Sequence, residues 1–106
     1  MLATTAEVDA IRKAKGEREL YLDLVVERGE WLLPRAVWLL QEKLNAYASF
    51  VLDGKMRELY PWAVPANVRI AVKSHGQPPA TAVELIRKVA EVLAKDGPLL
   101  TLERMP

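Results

Sequence analysis

The sequence predicts a two-layer α/β (α+β) sandwich: a four-stranded sheet with two helices on one face, in the order β-β-α-β-α-β. Three observations carry this. Two segments alternate aliphatic and polar residues with period two, a stretch of about twenty residues between a proline and a glycine is amphipathic with period 3.6, and a second amphipathic stretch ends at Gly97-Pro98.

The first strand candidate is Glu7 to Arg12, EVDAIR, followed by the polar connection KAKGERE, whose Gly16 can take a positive φ. A hairpin is the economical reading. In the second strand Leu20, Leu22, Leu24 and Val26 alternate with Tyr21, Asp23, Val25 and Glu27, so four aliphatic side chains share one face. The segment RGEWLLP breaks the strand at Gly29, and Trp31, Leu32 and Leu33 are expected to pack at the junction.

The central helix is expected from Pro34 to Gly54. At 100° per residue Leu33, Ala36, Val37, Leu39, Leu40, Leu44, Ala46, Tyr47, Ala48, Phe50 and Val51 form one broad apolar arc, interrupted only by Lys43. The bland account of Lys43 is a methylene stem covering the core edge with its ammonium at water or a carboxylate; the sharper one is a desolvated base or Schiff-base nucleophile. The first is preferred. Trp38 and Leu52 are large apolar residues on the otherwise polar side, expected either to rest under the Tyr60-Pro61-Trp62 loop, with residues 55–66 folded back over the helix, or to meet a partner. Pro34 suits the first helical turn and Gly54 the left-handed residue after the last. Such a helix is about 30 Å long against about 20 to 23 Å for a strand of six or seven residues, so an overhang is expected.

The stretch KMRELYPWAVPAN reads as an ordered loop that starts with a helical turn and carries Leu59, Tyr60 and Trp62. NVRIAVKS, residues 67–74, is the third strand, with Val68, Ile70 and Val72 inward. In the second helix Thr81 is expected to cap, with Glu84 closing a capping box, and Ala82, Leu85, Ile86, Val89, Val92 and Leu93 to form the buried face. LLTLER supplies the fourth strand. The other sheet face, with Tyr21, Asp23, Val25, Arg69, Ala71 and Lys73, is expected to be open to solvent, a ligand or another subunit.

At 106 residues the chain reads as one domain, residues 1–106. Hydrophobic residues at 51% and charged residues at 27% place it among globular proteins. With no cysteine there is neither a disulfide framework nor a thiolate site, and with neither a leader-like N-terminus nor a membrane-length apolar run a cytoplasmic location is expected. A net charge of +1 provides no overall field for nucleic acid or an anionic membrane.

Few residues point to chemistry. His75 is the single histidine and follows Ser74, but the chain has no Gly-x-Ser-x-Gly elbow, so it is read as a turn residue. One histidine and scattered carboxylates predict no metal site, and the five glycines form no phosphate-binding motif, so no cofactor is expected. Arg69 and Lys73 near Tyr21 could stack single-stranded nucleic acid, but no RNP-like aromatic motif accompanies them.

The run LQEKLNAY from Leu40 to Tyr47, with Phe50, Gly54, Tyr60-Pro61, Val8-Asp9 and Trp31, resembles a family of small uncharacterised bacterial proteins of unknown function. The resemblance implies no activity, cofactor or catalytic residue. Where that family is often acidic before the helix, this chain has Leu32, Leu33, Pro34 and Arg35.

The sequence therefore favours a non-enzymatic interaction or self-association module, a homodimer or the partner of another protein, with Trp38, Leu52, Tyr60 and Trp62 as its candidate interaction surface. The alternative is a small-molecule binder or enzyme with a pocket under the Tyr60–Pro65 loop, lined also by Tyr47.

Overall fold

A computed structural model describes residues 2, 8–13 and 18–106. Its strands are β1 (Ala10–Lys13), β2 (Leu20–Val26), β3 (Val68–Ser74) and β4 (Leu99–Arg104), and its helices are α1 (Ala36–Leu52), α2 (Lys55–Leu59) and α3 (Ala80–Ala94). Single 3-10 turns lie at Glu30–Leu32 and Pro65–Asn67. The sheet order is β1-β2-β3-β4; β1 runs antiparallel to β2, and β2, β3 and β4 are parallel. Parallel neighbours need a crossover, which α1 supplies between β2 and β3 and α3 between β3 and β4. Two crossovers of one hand that advance in the same direction put both helices on the same face.

That face is the expected one. Leu20, Leu22, Leu24, Val26, Val68, Ile70 and Val72 are all fully buried, in one core with Leu40, Leu44, Tyr47 and Val51 of α1 and Ala82, Ile86 and Leu93 of α3. The hairpin, β2, β3 and β4 agree with the sequence reading. The part of the first strand candidate at Glu7 lies outside the described residues, as does Gly16 of the connection.

Several local expectations are corrected. Helix α1 begins at Ala36, because Arg35 adopts a left-handed conformation with φ 63° and leaves Pro34 in the preceding turn. Seventeen residues give a helix of about 26 Å against about 23 Å for a seven-residue strand, so little overhang remains. Leu32 is 87% exposed and Leu33 is also exposed, so of the three junction residues only Trp31 packs against the core. Thr81 does not cap α3: the helix starts at Ala80 after Pro79, whose carbonyl accepts from the Ala82 and Val83 N–H groups. Glu84 is left to pair with Arg87. The turn after Gly54 is a complete short helix, which makes three helices instead of two.

Gly97 closes α3 as expected, with φ 113° and its N–H donating to the Leu93 carbonyl. A side chain would be excluded there on a second ground, since a Cβ would lie 2.8 Å from the Ala66 backbone nitrogen.

Candidate functional site

Lys43 and Tyr47 are four residues apart on α1, so both project from one helix face, and both reach Asp9 just before β1. The Lys43 Nζ donates to Asp9 Oδ1 at 2.5 Å. The Tyr47 hydroxyl accepts from the Asp9 N–H at 2.8 Å and donates to the Asp23 carbonyl at 2.6 Å. Asp9 Oδ2 accepts the Val25 N–H at 2.8 Å, so a side chain takes over from backbone pairing where β1 stops and β2 continues. The network thus joins the helix layer to the edge of the sheet.

Lys43 is completely buried, so it is a core residue and not an edge residue, and its ammonium meets a carboxylate, one of the two ends the preferred reading allows. Burial pushes the Asp9 carboxyl up, and the hydrogen bonds from Lys43 and Val25 more than reverse this, holding it below the usual value. Burial pushes the Tyr47 phenol far up. Lys43 and Tyr47 are sealed and Asp9 is mostly enclosed, and their chemistry is that of a fastening: each buried donor and acceptor has its partner. Among the described residues no buried side-chain polar atom is left without one.

The uncovered sheet face is less bare than expected. Asp23 is only 4% exposed there, held by Arg12 through Nε at 2.6 Å and Nη2 at 3.0 Å, with Lys73 Nζ at 3.5 Å. Arg12 also lies over the Tyr21 ring at 4.9 Å, and Arg69 pairs with Glu19 at 3.0 Å. Burial raises the Asp23 carboxyl and its pairing with Arg12 lowers it further, so it sits below its ordinary value. The cations that might have stacked nucleic acid are committed to carboxylates. Ala71 is buried beneath this canopy.

His75 is half-buried in the turn after β3, and its N–H donates to the Val26 carbonyl. The Ser74 hydroxyl donates to the Gly76 carbonyl and accepts from Trp31 Nε1, both at 2.8 Å, so its proton is directed away from the histidine. Among the described residues no group of three His, Cys, Asp or Glu side chains could hold a metal ion, and no helix is long and apolar enough to cross a membrane.

The four residues expected to form one interaction surface are split. Tyr60 and Trp62 pack edge to face, centroids 6.3 Å apart, against the core, with Lys13 Nζ 5.5 Å from the Trp62 centroid. Trp38 is 45% exposed at the start of α1, with the Arg35 guanidinium 4.2 Å from its ring centroid. Leu52 is 42% exposed about 21 Å further along the same helix. The segment 55–66 covers neither.

Leu52 instead forms one lip of a groove between α1 and α3, of about 330 Å³, lined by Leu44, Asn45, Ala48, Leu52, Lys88, Val89, Val92, Leu93 and Asp96. Leu44 and Leu93 form a buried floor, and Val92 forms the opposite lip at 61% exposure, a correction to its expected burial. Lys88 and Asp96 stand at either end of the α3 side. Spacing alone placed Val92 with the core; that it is out of reach of the sheet is visible only once α3 is seated.

Fold and site together define a small α+β sandwich with a polar anchor between its core and its sheet edge and an apolar groove on its helical layer. The chain belongs to the Family of unknown function (DUF6572), whose model matches residues 1–105. Comparisons with curated proteins and with solved structures find no match. Of the residues that carry the resemblance noted above, Asp9, Lys43 and Tyr47 meet in the anchor, whereas Trp31 donates to Ser74 and Gly54, with φ 98°, stands at the turn into α2.

Proposed function

We propose that this protein is a non-enzymatic, cytoplasmic module that works by self-association, using the α1/α3 groove as the contact surface of a homodimer. The observation that carries the reading is the groove itself, where Leu52 and Val92 expose apolar surface over a buried floor of Leu44 and Leu93. Exposed apolar patches of this kind mark contact sites more often than they mark chemistry. The polar groups that might have supported catalysis are buried in pairs, which favours interaction over reaction. Two-fold dimers use one such surface twice and are the commonest soluble oligomers.

Sedimentation equilibrium from micromolar to several hundred micromolar tests the reading. A mass that rises toward twice 11.9 kDa is expected. A mass fixed at one chain throughout would overturn it.

A further inference from the structure

We infer that the second copy docks with its α3 antiparallel to the first, the two-fold axis passing beside Val92 and Lys88 of each chain facing Asp96 of the other. This rests on the self-association reading and specifies its geometry. Val92 is the most exposed apolar residue lining the groove, and Lys88 and Asp96 lie four residues to either side of it along the chain. About 6 Å of helical rise separates Lys88 from the centre, and Asp96 stands in the turn just past the end of α3. A two-fold axis at residue 92 brings 88 opposite 96 of the other chain, and 96 opposite 88, so one operation creates two attractive pairs.

The parallel alternative places Lys88 against Lys88 and Asp96 against Asp96. Like charges facing each other select against it, so the order of Lys88 on α3 and Asp96 in the turn after it is complementary to itself in one orientation only. Lys88 is available for this role: its side chain is 67% exposed and its contact with Glu84 is a loose 4.0 Å. Val92 against its copy supplies the apolar centre, and Leu52 flanks it from α1. The charged pairs then form the rim, where they set register more than affinity.

Charge reversal on the full chain is the test, with circular dichroism confirming that each variant is folded. Lys88→Glu and Asp96→Lys should each weaken the dimer roughly tenfold or more in sedimentation equilibrium, since each turns both attractive pairs into repulsive ones. The double variant should return to within about threefold of the parent, because reversing both restores opposite signs. A parent dimer that neither reversal weakens, or that the double variant fails to restore, overturns the antiparallel register and leaves self-association standing. A monomeric parent overturns both.

Discussion

Helices α1 and α3 lie side by side on the same sheet face, yet six residues of α1 are buried and only three of α3. The arc of α1 contains a lysine and a tyrosine that a hydrophobicity pattern counts as blemishes, whereas α3 alternates cleanly between apolar and charged faces. The blemished helix is the one enclosed on more sides. It sits between α3 and the segment leading through α2 to Trp62, and Lys43 and Tyr47 find Asp9 and the Asp23 carbonyl there. Helix α3 rests over β4, the edge strand, and among the described residues no further element lies on its outer flank, so its apolar stripe is wider than its support. The lesson is that burial follows position in the layer: a paired ammonium can be enclosed while a valine on a cleaner stripe stays in water.

The largest effect should come from breaking the anchor of α1. Lys43→Met leaves the Asp9 carboxylate next to a thioether in place of an ammonium, and removing one partner of a buried pair costs about 3 to 5 kcal/mol. Urea unfolding measures it; a loss below about 1 kcal/mol would show that the pair does not hold the helix to the sheet.

A smaller effect is expected on the uncovered face, where the ion pair is half in solvent on its Arg12 side. The folded Asp23 carboxyl lies below its unfolded value, so its contribution is fully present above the unfolded value of about 3.9 and is lost as pH falls through the folded value. Stability should therefore decline on acidification below about pH 4, and Asp23→Asn should make that decline shallower. Parallel acid limbs for the two proteins would show that Asp23 is not among the groups that respond.

The smallest effect belongs to α3. Val92→Ser, measured at a dilution where the chain is monomeric, should change unfolding free energy by no more than about 0.5 kcal/mol, as for a surface position. A cost above about 1.5 kcal/mol would mean that Val92 is core after all, and that the groove closes in solution.

The sequence alone determined the element types, the covered sheet face and the stops at Gly54 and Gly97, because period two, period 3.6 and glycine's access to positive φ are local properties of the chain. It also singled out Lys43, with its ammonium at water or a carboxylate, and Trp38 and Leu52 as large apolar residues on the polar side of the helix, without choosing between the Tyr60-Pro61-Trp62 loop and a partner as their cover. What only the tertiary structure decided is which side chains meet. Asp9 and Lys43 are 34 residues apart, so their contact depends on α1 crossing back over the start of β1. Leu32, Leu33 and Val92 carry core-like side chains and lie outside the core because, among the described residues, no neighbouring element encloses them. The start of α1 was misplaced by two residues because Arg35 takes a left-handed conformation that favours glycine, one the tertiary path imposes on a residue type that does not announce it.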